Sequence, residues 1–225
     1  MTDTTRLFLV RHGATSATAE DRFSGSSGAE LSEEGRWQAR RLGERLSRQD
    51  ITAVYSSPLA RALDTARIVA SHCRLEVDQR DGLREIGHGH WEGRRREDVE
   101  QEFAEEYAAW ESDPFTFAPL GGESGVAVLA RALPVIREIV TAHPAGRILV
   151  VSHKATIRLV LSSLLAFDPR GYRDRLEQSP AGLNIIDFKD AVRARMMLFN
   201  DTSHYSERPR LADQALSKWW DQPDP

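Results

Sequence analysis

The sequence predicts an α/β fold: a single-domain three-layer sandwich in which helices flank a mainly parallel central sheet. Three observations predict it. Short apolar runs alternate with stretches of helical periodicity, the pattern of repeated strand–helix–strand units. Two runs, Leu7–Val10 and Ile148–Val151, contain no polar residue, as in strands buried on both faces. Polar residues then follow abruptly, at Arg11-His12, Ser56-Ser57 and Ser152-His153. Ligands of open α/β sheets bind outside the carboxyl ends of the strands, so these three positions would share one edge.

The elements follow in order. Leu7–Val10 is the first strand, and a loop rich in Ser, Thr and Gly runs from it to Gly28. Ser32 stands before a helix with Ala39, Leu42 and Leu46 on one face. Ala53-Val54-Tyr55 is the second strand, and Ser57-Pro58 reads as a helix start, with Ser as N-cap and Pro in the first turn. Leu59, Leu63, Ala66 and Val69 give that helix its apolar face, and Leu75-Glu76-Val77 is a short strand. One charged helix is expected from Arg95 to Glu111, ending at Asp113-Pro114, and another from Glu123 to His143. Ile148–Val151 is the most strand-like run, and the helix after it buries Ile157, Val160, Leu161 and Leu164. Leu183–Phe188 and Arg195–Phe199 read as a late hairpin.

The 225 residues suffice for a large core without disulfides, and 40% of them are hydrophobic. The single cysteine, Cys73, excludes an internal disulfide and a Cys-based metal cluster, which suits a cytoplasmic location. The apolar run near the N-terminus is too short for a signal-peptide core, and no run approaches a membrane span. A net charge of −4 argues against nonspecific nucleic-acid binding but not against a small anion held by local arginines. His12 at a strand end is a candidate nucleophile, and Arg11 beside it is suited to holding an anion through paired donors. His88 and His90 have a spacing that fits metal binding or a place near a pocket mouth, and Arg94–Arg96 reads as an exposed helix start.

Several segments in fixed order then carry a resemblance. They are Leu9–Gly13, Arg22-Phe23-Ser24-Gly25, Leu31-Ser32 with Gly35, Ser56–Ala62, and Leu83-Arg84-Glu85-Ile86 with Gly89, Trp91, Glu92 and Gly93. Gly122-Glu123-Ser124 and Val151-Ser152-His153 with Ile157-Arg158 complete them. Together they resemble the histidine phosphatase superfamily, which includes the cofactor-dependent phosphoglycerate mutases and many small-molecule phosphatases. The resemblance implies that His12 attacks phosphorus and becomes phosphohistidine, that Arg11, Arg61 and His153 line the phosphate pocket, and that Glu85 passes the proton. Neighbouring arginines would keep His12 neutral. No metal and no cofactor is implied.

Departures from the family pattern touch the outer pocket. Ala14 follows Gly13 where Glu or Gln is usual, Thr18 stands where asparagine is expected, and Lys154 replaces the glycine after the later histidine. Thr18, Ser24, Gly25 and Lys154 are therefore the candidate substrate contacts, with Glu123 at the pocket edge; Lys154 suits a carboxylate or second phosphate. The chain reads as one domain over 1–225, with 94–122 capping the pocket and 205–225 as a C-terminal tail. That tail would dock on its own domain, or form a homodimer contact through Trp219 and Trp220. The capping segment is short for a mutase, which favours a phosphatase of a small phosphate ester over a phosphoglycerate mutase; a non-catalytic binding module is the third reading.

Overall fold

The computed structural model describes residues 4–16, 22–25 and 28–206. Their backbone forms one six-stranded sheet of order β3-β2-β4-β1-β5-β6. Strands β1 (Thr5–Arg11), β2 (Ala53–Ser56), β3 (Val77–Gln79) and β4 (Arg147–Ser152) run parallel. β5 (Leu183–Phe188) and β6 (Ala194–Asp201) are antiparallel, so the sheet is mainly but not wholly parallel.

Alternation along the strands builds two cores. Leu7, Leu9, Ile148 and Val150 face helices α5 (Gly125–Ala142) and α6 (Lys154–Leu164), meeting Ile136, Ile139, Ile157 and Leu161. Phe8, Val10, Leu149 and Val151 face α1 (Glu33–Leu46) and α2 (Ala60–Cys73), meeting Leu42, Leu46, Ala66 and Val69. Both faces of β1 and β4 are thus covered, which is why their sequences are continuously apolar.

Helix starts follow capping chemistry where a hydroxyl is available for it. The Ser32 hydroxyl accepts from Gly35 N–H at 3.1 Å, and the Ser124 hydroxyl accepts from Ala127 N–H at 3.2 Å. Ser57 departs from its expected role. α2 starts at Ala60 behind Leu59, with no side-chain cap, and the Ser57 hydroxyl bonds His153 Nε2 at 2.8 Å. The expected charged helix is two, α3 (Arg96–Glu102) and α4 (Ala104–Ser112), broken at Phe103. Phe103 packs against an aromatic cluster of Phe23, Trp91, Tyr107 and Trp110, and that packing overrides local helix propensity. β3 lies two residues later than expected. A four-residue helix, α7 (Tyr172–Arg175), had no sequence signal of its own.

The parallel register brings the strand ends level: Arg11 lies opposite Ser152, and Ser56 opposite Val151. The ladder continues one step further, with His12 N–H donating to Ser152 O and Ser57 N–H to Val151 O, both at 3.0 Å. His12 and Ser57 are therefore fixed by sheet geometry rather than by loop packing. Leu9, 1% exposed, anchors the strand that presents His12. Leu9→Ala is expected to cost about 2–5 kcal/mol of stability, read as a lower denaturation midpoint with unchanged slope.

Candidate active site

Beyond the aligned strand ends lies a cavity of about 310 Å³. Its floor carries Arg11, His12, Arg61 and Glu85, with the His153 ring centred 5.1 Å from that of His12. The structure thus brings together all five residues expected to act on phosphate.

His12 Nδ1 lies 2.7 Å from Gly13 O, and a carbonyl can only accept, so Nδ1 carries the proton. Nε2 keeps its lone pair and receives the Arg61 Nε–H at 3.3 Å. Burial, then Arg11 and Arg61, hold the His12 pKa well below its ordinary value. The ring is neutral at physiological pH, with Nε2 available as a nucleophile. For His153, the Ser57 hydroxyl accepts from Leu59 N–H at 3.3 Å and can give its own proton to Nε2. That arrangement leaves Nδ1–H as the donor, and Nδ1 has no partner among the described residues. Burial, then His12 and the two arginines, depress the His153 pKa as well.

The arginines are oriented by backbone carbonyls. Arg11 Nη1 donates to Gln178 O at 2.7 Å and Arg61 Nη2 to Gly25 O at 2.6 Å. The Arg11 Nε is buried without an acceptor among the described residues, and burial lowers the Arg11 pKa to about 10, so its charge persists at neutral pH. Buried donors left over on Arg11 and His153, beside a neutral histidine, suit an incoming oxyanion.

Glu85 lies at the N-terminus of α6. Its Oε1 accepts from Thr156 N–H and the Thr156 hydroxyl, each at 3.2 Å, and from Ile86 N–H at 3.0 Å. Its Oε2 accepts from Ala155 N–H at 3.2 Å. Arg84, the neighbour that could have claimed it, instead lies 2.8 Å from Asp81.

Of the candidate substrate contacts, Ser24 and Lys154 line the cavity. Lys154 Nζ lies 3.2 Å from Glu177, which also binds Arg158 Nη2 at 2.8 Å. Burial, then Arg158 and Arg11, lower the Lys154 pKa to about 8. Gly25 lies behind Arg61 rather than on the wall. Its carbonyl anchors the guanidinium, its N–H donates to Glu92 at 3.0 Å, and a Cβ there would overlap Ile86 O and Glu92 Oε1. Thr18, Trp219 and Trp220 lie outside the described residues. Glu123 does not line the cavity; it pairs with Arg131 at 2.8 Å.

The walls hold residues that sequence reasoning did not assign to the site: Tyr172 and Arg173 from α7, Trp110 from α4 and Arg96 from α3. Arg96, expected on an exposed helix start, lies 5.5 Å from the Trp110 ring, and Arg173 lies 4.5 Å from it. Glu111 serves both arginines, at 3.8 Å and 3.1 Å. Arg96 and Trp110 fall within the segment 94–122 expected to cap the pocket, whereas Tyr172 and Arg173 carried no sequence signal. His88 lines the cavity against Phe23, whereas His90 turns to Glu106 at 3.2 Å. Among the described residues no group of three His, Cys, Asp or Glu is placed to hold a metal, and no helix is long and apolar enough to cross a membrane.

A neutral buried histidine beside two buried arginines at the carboxyl edge of an α/β sheet is an arrangement suited to a phosphoryl group. The chain matches the family model of the histidine phosphatase superfamily (branch 1) over residues 7–202, and it belongs to that superfamily. It is 35% identical over 163 residues to phosphoserine phosphatase 1 of Hydrogenobacter thermophilus, covering 72% of this chain and 77% of that one. It is 34% identical over 208 residues to phosphoglycerate mutase-like protein 4 of Arabidopsis thaliana, covering 91% and 89%. The solved structure of a mycobacterial glucosyl-3-phosphoglycerate phosphatase superposes with a TM-score of 0.80 at 30% identity, covering 88% and 99%.

His12 and His153 also contribute to how stability depends on pH. Unfolded, each takes a proton near pH 6.5; folded, each refuses it until well below that value. Stability is therefore full above about pH 6.5 and declines as the pH falls, by at most about 1.4 kcal/mol per unit for each histidine. Denaturant titrations from pH 7.5 to 5 are expected to show that decline, with a shallower slope in His12→Gln.

Proposed function

We propose that this phosphoric monoester hydrolase is a phosphatase of small phosphorylated metabolites, acting through a phosphohistidine on His12. The observation that carries the reading is the His12 tautomer: a neutral ring with Nδ1 tied to Gly13 O and Nε2 facing the arginines. The phosphoryl dianion sits among Arg11, Arg61 and His153. Nε2 attacks phosphorus, the P–N bond forms as the ester P–O bond breaks, and Glu85 gives its proton to the departing oxygen. Water then attacks phosphorus, the P–N bond breaks, and Glu85 takes the water proton back. Catalysis of this kind is mostly positioning and fixed positive charge.

Substrate choice falls to the walls. Ser24, Thr18 and Lys154 contact the group beyond the phosphate, and residues 94–122 close the pocket within one domain spanning 1–225. Among the described residues, six arginines and one lysine line the cavity against one carboxylate, Glu85, which favours substrates with a second anionic group. The same charge suits the bisphosphorylated activator of a mutase, so mutase activity is the second reading. A single cysteine, Cys73, fits a cytoplasmic location, and neither nucleic acid nor membrane is needed as a partner.

Phosphate release from a panel of metabolite phosphates, with EDTA present, tests the reading. Release is expected to survive the chelator and vanish in His12→Ala. Label from the substrate is expected on wild-type protein in an acid-labile, alkali-stable form. Conversion of 3-phosphoglycerate to 2-phosphoglycerate on adding 2,3-bisphosphoglycerate, without net release, would transfer the assignment to mutase. Lys154→Met is expected to raise KM about tenfold for carboxylated esters and to leave neutral sugar phosphates nearly unchanged, as loss of one charge-assisted contact implies.

A further inference from the structure

Glu85 belongs to no strand or regular helix. It stands on the stretch between two short 3-10 turns, Asp81–Leu83 and Gly89–Trp91, where no ladder fixes the backbone. Two side chains, Glu123 just before α5 and Arg131 within it, hold that stretch instead. Arg131 Nη1 donates to Gly82 O at 2.9 Å and to Arg84 O at 2.8 Å, and Nη2 donates to Glu85 O at 3.0 Å. Arg131 Nε and Nη2 also donate to the two Glu123 oxygens, both at 2.8 Å. These contacts match in number the five donors a guanidinium possesses. Glu123 Oε2 accepts from Gly87 N–H at 3.0 Å, and Glu123 N–H donates to Gly87 O at 2.8 Å. The grip therefore extends from Gly82 to Gly87 with Glu85 inside it, while neither side chain lines the cavity.

We propose that Arg131 and Glu123 are a positioning pair that sets the height of the Glu85 carboxyl over the leaving oxygen. The proposal rests on the reading of Glu85 as the proton donor. Glu85 is fixed at both ends: its backbone by Arg131, and its carboxyl by the first amides of α6. The Thr156 hydroxyl joins the two, lying 2.7 Å from Arg84 O and 3.2 Å from Glu85 Oε1. Slack at the backbone end would move the proton without disturbing Arg11, His12, Arg61 or His153. A lysine at position 131 could not reproduce the planar fork that reaches three carbonyls and a carboxylate together.

The effect of such slack depends on the leaving group. A p-nitrophenolate leaves without help, whereas a phenolate needs the proton. An ion pair serving only stability would depress both reactions alike. The test is pre-steady-state phosphorylation of His12 by p-nitrophenyl phosphate and by phenyl phosphate. It compares wild type, Arg131→Lys, the milder Glu123→Gln, and Glu85→Gln as reference. In Arg131→Lys the loss of rate is expected to be at least about tenfold greater with phenyl phosphate than with p-nitrophenyl phosphate, the scale of a misplaced catalytic group. Glu123→Gln should show the same trend, smaller, and inhibition by inorganic phosphate should stay within about twofold of wild type in both, since the phosphate floor is untouched. Equal loss with both esters, or no loss with either, overturns the proposal. If Glu85→Gln itself shows no leaving-group dependence, the proton-donor reading fails first and takes the positioning role with it.

Discussion

Two guanidinium groups are buried beside His12, and backbone carbonyls orient them. Taking a cation out of water costs several kcal/mol, and an intimate carboxylate partner would offset that cost at the expense of any affinity for phosphate. Here the oriented bonds go to the carbonyls of Gln178 and Gly25. A carbonyl fixes direction while leaving the net charge for a ligand. The same field that would draw in a phosphoryl dianion also keeps His12 deprotonated. One electrostatic arrangement therefore prepares both partners of the transfer.

Much of the remaining fold serves those carbonyls. Gln178 is held by a reciprocal amide pair with Asn184 on β5, at 3.1 and 2.8 Å, and Asn184 Nδ2 also donates to Leu9 O at 3.0 Å. The antiparallel β5 thus ties the acceptor of Arg11 to the strand that carries Arg11. On the opposite side, Gly25 can stand where its carbonyl meets Arg61 because it lacks a side chain that would strike Ile86 and Glu92. Buried polar networks of this kind specify one arrangement when every member is satisfied.

Most of the floor was legible in the sequence because Arg11, His12 and His153 follow local grammar, whereas Glu85 was expected only from the family resemblance. An apolar run that stops at Arg11-His12 or Ser152-His153 announces a strand end, and parallel strand ends converge. The walls were not legible, because Arg96, Trp110 and Arg173 lie on three helices and meet only in space. Local rules also failed where a side chain had a competing use. Ser57 had the sequence context of an N-cap, but its hydroxyl is bonded to His153, and α2 starts two residues later than expected without a side-chain cap. Phe103 had helical neighbours on both sides, yet its place in the aromatic cluster splits α3 from α4. Glu123 had the residue type of a pocket carboxylate, but its partner Arg131 is eight residues along the same chain and draws it away.

This division separates the chemistry from the choice of substrate. Arg11 and His12 are set by strand register, so altering either disturbs the sheet edge as well as the site, whereas Arg61 stands on α2 and Glu85 on no strand. The wall charges are held by shared carboxylates, Glu177 between Lys154 and Arg158, and Glu111 between Arg96 and Arg173. A carboxylate that serves two cations neutralises neither fully, which leaves Lys154 and Arg158 with a share of positive charge, while Arg173 also meets Asp174 at 3.4 Å. Exchanging one wall residue changes that field without moving a strand. On the proposed function, the sheet edge would keep one phosphoryl chemistry while substitutions on α3, α4, α6 and α7 would alter which esters fit the walls.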